Sequence, residues 1–222
     1  VSSPVTSVDS NKRPSLKWAI LIVGIGALAG LAIYGYWYYR THRFDKLIIA
    51  ESSEQGLDPR LVKSLIAEES FFNPQAHSSA DARGLMQVTP IVVREWTIKK
   101  GYTDENVAYA KEFANRLRTA NLSTDQVIFD PEVNVRIGCW YLRYLLNKYE
   151  SQNLQIPLTL AAYNAGPSKA EGWLHHAYTG SAVSDATTVE EYLNRIEYPE
   201  TREYIRNIVS RYASYKRANS GL

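Results

Sequence analysis

Glu69 is a carboxylate on the wrong side of its helix. The segment from Pro59 to Ser70 follows Asp58, and this Asp-Pro pair supplies an N-cap and a proline at the first helical position. Advancing about 100° per residue places Leu61, Val62, Leu65 and Ile66 on one arc, with Glu69 in its middle. Arg60, Lys63 and Ser64 fall on the opposite side. A helix that buries its apolar arc buries Glu69 with it. Desolvation disfavours the charged form of a carboxyl and raises its pKa. A carboxyl that titrates near neutrality is what a general acid requires. Taken alone, Glu69 also fits a solvated or salt-bridged helix glutamate. Its neighbour Glu68 falls at the edge of the arc and reads as a surface charge.

Other chemistries find less support. The histidines are His42, His77, His175 and His176, and no pair spaced i, i+4 has a carboxylate beside it. No metal site and no cofactor are expected. There is no GxSxG elbow and no phosphate loop. The single cysteine, Cys139, sits in the apolar run from Ile137 to Leu142 and reads as core packing; no intrachain disulfide can form. From Phe44 onward 20 Lys and Arg stand against 22 Asp and Glu, formally −2. That balance offers no basic face for nucleic acid.

Four blocks around and beyond Glu69 resemble the signature of the soluble-type (SLT) lytic transglycosylases. The first is Glu69-Ser70, then Asn73-Pro74-Gln75-Ala76, Ser78 and Ala82 to Pro90, with Gly84-Leu85-Met86-Gln87 inside it. The second is Phe129 to Asn134 with Gly138 and Tyr141-Leu142. The third is Leu160 to Pro167, and the fourth is Pro199 to Ile205. The resemblance implies a lysozyme-like α fold and cleavage of the MurNAc-GlcNAc bond of peptidoglycan glycan strands. It makes Glu69 the single acid and base. It assigns substrate contacts to Ser78, Met86, Gln87, Tyr163, Asn164 and Tyr204. In that chemistry a neutral Glu69 protonates the glycosidic oxygen as the sugar becomes oxocarbenium-like. The carboxylate then takes the proton of the same sugar's 6-hydroxyl, which attacks the anomeric carbon and closes a 1,6-anhydro ring. No water is consumed, so no second carboxylate is needed.

Three departures from the family pattern matter. Asp81 stands where the family usually has Gly, and as a second carboxylate it would permit water activation, making the enzyme a hydrolytic muramidase. The stretch from Trp96 to Gln126 is longer than the usual connection. Pro167-Ser168-Lys169 replaces the commoner Pro-Gly and puts the local turn in question. A catalytically silent wall-binding module is the reading from another class, and a retained buried acid argues against it.

The elements that must position these residues are helices. Helical patterns cover Phe44–Gln55, Pro59–Ser70, Pro90–Lys100, Asp104–Leu117, Pro131–Tyr149, Pro157–Asn164, Thr187–Ile196 and Glu200–Lys216. The helix after Asp130-Pro131 is apolar on most sides and is expected to be central. No alternation is long enough for a sheet, so a mostly α domain over residues 44–217 is expected. Residues 1–15 read as a polar, disordered tail. Residues 16–39 read as a transmembrane signal anchor: no charge occurs from Trp18 to Tyr39, Trp18 caps one end, and Tyr34, Tyr36, Trp37, Tyr38 and Tyr39 crowd the other. A cleaved signal peptide competes, but the run ends in bulky aromatics rather than a small-residue cleavage site. Flanking charges are balanced, so orientation rests on the substrate: a single pass through the inner membrane, with the catalytic domain on the cell-wall side. Gly26 and Gly30 form a GxxxG pattern that would pair two copies weakly.

Overall fold

In the computed structural model, which describes residues 16–99, 124–175, 186 and 188–218, the apolar N-terminal run forms one helix, α1 (Leu16–His42). Its most apolar stretch has a mean hydropathy of 2.1 and is unburied; by length and composition it suffices to cross a membrane. Trp18, Tyr34, Tyr36 and Tyr39 are exposed along it, and a Cβ placed at Gly26 or Gly30 would meet nothing within 4 Å. Val1–His42 and Arg43–Leu222 are separate compact units. The polar tail and the expected helix from Asp104 to Leu117 lie outside the described residues.

The second unit is built from α2 (Asp45–Glu54), α3 (Pro59–Ser70), α4 (Pro90–Lys99), α5 (Thr124–Val127), α6 (Pro131–Lys148), α7 (Gln155–Ala165), α8 (Pro167–Leu174), α9 (Val189–Arg195) and α10 (Pro199–Arg217). Among the described residues there is no strand, only isolated bridges from Arg83 to His77 and to Val88. Proline opens α3, α6, α8 and α10. Its fixed φ suits the first turn, and its missing N–H would have no partner there. Asp58 accepts from the Arg60 amide at 3.0 Å. Asp130 accepts from the amides of Glu132 and Val133 at 3.0 and 3.1 Å. The sequence patterns miss α5 and α8. At Pro167-Ser168-Lys169, Gly166 takes φ 92 and turns the chain straight into α8.

The central helix is α6, with Val135, Cys139, Leu142 and Leu145 fully buried. It packs against α2, α4 and α7. Arg136 on α6 donates to both oxygens of buried Glu51 on α2, at 2.9 and 2.7 Å. α3 is covered by α2 and by α10, which corrects the expectation of a polar outer face. Lys63 and Ser64 are buried with the apolar arc. The Lys63 ammonium meets Asp45 at 2.6 Å, and the Ser64 hydroxyl donates to the Arg60 carbonyl at 2.7 Å. The wheel gives directions around a helix; it does not say from how many sides neighbours arrive.

Candidate active site

The last turn of α3 carries Glu69 to the seam with α10. There the buried Tyr204 hydroxyl donates to Glu69 Oε1 at 2.5 Å. Burial pushes the Glu69 carboxyl up from 4.5 to about 8; the Tyr204 bond pulls it down, and the charge of Glu68 pushes it further up. Glu69 nevertheless keeps part of its surface open, so the desolvated carboxyl remains reachable. With Oε1 engaged by Tyr204, the proton of the neutral acid belongs on Oε2. Burial, and then the nearby Glu69, hold the Tyr204 hydroxyl well above its usual value, so it remains a donor. Glu68 is no freely solvated charge. It accepts from Asn207 at 2.9 Å and lies 3.6 Å from the Arg211 guanidinium, inside the α3–α10 seam.

After Glu69 the backbone is forced. Phe71, Phe72, Asp81 and Gln87 all adopt left-handed φ, at 48, 58, 60 and 46°. Such conformations cost non-glycine residues on the order of 1–3 kcal/mol each and persist only where the surroundings dictate them. Around Gly84–Gln87, Asn134 on α6 supplies such surroundings. Its amide nitrogen donates to the carbonyls of Arg83 and Ile128 at 2.7 and 2.9 Å, and its oxygen accepts from the Met86 amide at 2.7 Å. Gly84, at φ 74, lies so close that a Cβ there would sit 2.3 Å from the Asn134 nitrogen. Ser70 ties the end of α3 to the same loop through the Leu85 carbonyl at 2.8 Å.

A cleft of about 340 Å³ opens beside this loop, lined by residues that include Gln87, Glu95, Tyr141, Tyr144, Tyr163 and Asn164. Three of the residues expected at substrate therefore share one wall system. Tyr163 links the cleft to the acid: its hydroxyl donates to the Met86 carbonyl at 2.9 Å, and burial first, then Glu69, raise its pKa well above normal. Gln87 donates inward to Gly84 and Ala76 carbonyls at 2.9 and 3.2 Å. Asn164 accepts from Thr201 at 2.7 Å, leaving its amide nitrogen for the cleft. The others sit elsewhere. Ser78 closes its own turn, its hydroxyl accepting from the Ala82 amide at 3.1 Å. Met86 is fully buried, and a Cβ on Gly138 would lie 2.5 Å from its sulfur. Asp81 accepts from His77 at 2.8 Å and from Arg83 at 2.9 and 3.0 Å. These bonds, His77 first, hold its carboxyl below the usual range. Among the described residues no group of His, Cys, Asp and Glu is arranged to hold a metal ion.

Residues 46–184 match the transglycosylase SLT domain. The chain belongs to that family. A soluble lytic murein transglycosylase of Escherichia coli is 27% identical over 184 residues, covering 81% of this chain and 24% of that protein. A membrane-bound lytic murein transglycosylase C of Salmonella typhimurium is 26% identical over 187 residues, covering 80% of this chain and 48% of that one. The X-ray structure of an inactive mutant of the lytic transglycosylase Slt from Pseudomonas aeruginosa superposes with a TM-score of 0.60 at 26% identity, covering 82% of this chain and 25% of that chain. The fold is therefore the lysozyme-like SLT fold, and this chain spans half or less of the length of these relatives. The SLT match ends before Tyr204, yet the bond from Tyr204 to Glu69 makes α10 part of the surroundings of Glu69.

Two site residues escape the sequence reading. Asn134 stands within a block that resembles the family, but nothing local marks it as the clamp on the loop. Glu95 on α4 carried a detectable signal: it lies one position before buried Trp96 and three after buried Val92, hence at the edge of the packed face.

Proposed function

We propose that this chain cleaves the MurNAc-GlcNAc bond of peptidoglycan without water, leaving 1,6-anhydroMurNAc ends. The observation that carries this reading is the state of Glu69: desolvated, titrating near 8, and bonded to a neutral phenol rather than to a cation. Such a group holds a proton at neutral pH and can give it to the glycosidic oxygen. The C1–O bond breaks, and the leaving sugar takes the proton on its oxygen. The Glu69 carboxylate, still bonded to Tyr204, then removes the proton of the 6-hydroxyl as that oxygen bonds to C1. The acid is restored to its starting form.

Asp81 is poorly suited to the hydrolytic alternative. Both its oxygens are engaged by His77 and Arg83, and its lowered pKa makes it a weak base. The Pseudomonas protein supports the central role of a glutamate, since the mutation that makes it inactive replaces Glu with Gln. Gln87, Tyr163 and Asn164 contact the glycan from the cleft, and Tyr204 acts by positioning Glu69. The apolar helix α1 anchors the chain in the inner membrane with the catalytic unit on the cell-wall side. Mass spectrometry of digested sacculi tests the reaction: anhydro-ended muropeptides are expected, and reducing-end MurNAc would sink the reading in favour of hydrolysis.

A further inference from the structure

The cleft contains one feature that bond cleavage does not use. Of the described side chains lining it, Glu95 is the only one with a formal charge. Among the described residues it makes no hydrogen bond and no ion pair. Its charge is felt within the cleft: burial first, then Glu95 and Tyr144, push the Tyr141 hydroxyl up to about 12. Tyr141 and Tyr144 line the cleft beside it, their ring centroids 6.2 Å apart and their planes 21° from parallel. A carboxylate among aromatic faces is the combination that receives an organic cation, through a charge-assisted hydrogen bond and cation–π attraction. The structure holds an example of the second half. The Lys99 ammonium, one turn after Glu95 on α4, lies 3.6 Å from the centre of the Tyr144 ring. A primary ammonium thus already rests on a ring of this cleft.

We propose that Glu95 is a specificity-determining residue that recognises a primary ammonium carried by the substrate. This rests on peptidoglycan being the substrate. The sugars of a fully N-acetylated strand carry no positive charge and give Glu95 no counter-charge. Two parts of the polymer can supply one: the free side-chain amine of a diamino acid in the peptide stem, or the 2-amino group of a de-N-acetylated sugar. Both present the same R–NH3⁺. Glu95 takes no part in proton transfer; it selects which strand segments settle in the cleft, so its effect belongs in KM and in binding rather than in kcat.

The experiment uses four defined probes with the full chain. Two are stem-bearing tetrasaccharides, with the diamino-acid amine free or acetylated. Two are stemless glycans, fully N-acetylated or partly de-N-acetylated. Binding is measured calorimetrically on the Glu69→Gln variant, and turnover and product masses on the active chain. The expected result is about tenfold tighter binding of the free-amine member of one pair. The stem pair showing it identifies the stem amine, and the glycan pair the sugar amine. Glu95→Gln should bring that ratio near one, Glu95→Asp should retain part of it, and added salt should weaken it. The proposal is overturned if neither pair discriminates, if Glu95→Gln leaves the ratio intact, or if Glu95→Gln alters product identity. It is also overturned if Lys99→Gln alone removes the preference, because Lys99 would then be the recognising group. Loss of anhydro products with the binding preference intact would count against the reaction and not against Glu95.

Discussion

Glu69 and Asp81 are twelve positions apart in sequence, one just before a strained loop and the other within it, and are held in opposite electrostatic states. Glu69 sits at the end of a covered helix, with a phenol for a partner and the like charge of Glu68 close by. Asp81 sits in an open turn between an imidazole and a guanidinium. The first carboxyl is pushed up to about 8 and the second is held below its ordinary range. Burial and the sign of the neighbours, rather than residue type, decide which of the two carboxyls holds a proton at neutral pH. Of these two carboxyls, Glu69 is the one that holds a proton at neutral pH, and Asp81 has both oxygens engaged by His77 and Arg83.

The comparison can be broken most sharply at Glu69. Glu69→Gln should reduce release of muropeptides by about a thousandfold or more, while near-UV circular dichroism stays native. Retained wall clearing by this variant would remove Glu69 from the reaction.

A second effect concerns stability. The Glu69 carboxyl has a folded value of about 8 against 4.5 for an ordinary glutamate, so the folded state holds the proton more tightly. Its contribution to stability is fully present below about pH 4.5 and is lost as pH rises towards 8. At about 1.36 kcal/mol per unit the loss is on the order of 3–5 kcal/mol at the alkaline end. Urea titrations at pH 5 and pH 8 should show wild type losing stability relative to Glu69→Gln, and parallel losses would contradict the raised value. The activity profile should also fall above about pH 8.

Asn134→Ala separates the loop from the acid. Removing the amide takes the partner from the Met86 N–H and the Ile128 carbonyl, while the Arg83 carbonyl keeps the Val88 N–H; this should cost about 2–4 kcal/mol in chemical denaturation. It should also lower turnover without moving the alkaline limb of the pH profile.

Tyr204→Phe deletes a bond that favours the Glu69 carboxylate. The alkaline limb should therefore move up by roughly one pH unit, with a drop in kcat from lost positioning. A downward move would mean that Tyr204 donates chiefly to the neutral acid. The smallest effect is expected at Asp81. Asp81→Asn should change kcat by less than about threefold and leave products anhydro-ended; disappearance of a hydrolytic product in this variant would give Asp81 the role of base.

The sequence makes the helices legible wherever an Asp-Pro or proline start coincides with an apolar arc, as in α3 and α6. It shows Glu69 for the same reason. The burial of Lys63 and Ser64 was not visible, because it depends on both α2 and α10 covering the helix, α10 arriving from more than a hundred residues away. Tyr204 could be matched to a family position, but its bond to Glu69 is a fact of tertiary packing. Met86 and Ser78 follow the family pattern in sequence, whereas their side chains serve the core and a turn here. Asp81 shows why a carboxylate in a loop cannot be read alone: its neighbours His77 and Arg83 are close in sequence, yet only the turn geometry makes both of them its partners.

The Asn134 clamp also sets an order of assembly. The amide joins Arg83 and Met86 to the start of α6 across gaps of 51 and 48 residues. Contacts at such separation form late, after the cost of closing a long chain segment has been met. A nascent chain that has emerged only as far as residue 125 contains Glu69 and the whole Gly84–Gln87 tetrad, yet lacks the residue that fixes their geometry. The loop beside Glu69 therefore stays unfixed during early synthesis, and the site is complete only once α6 and α10 have formed around it.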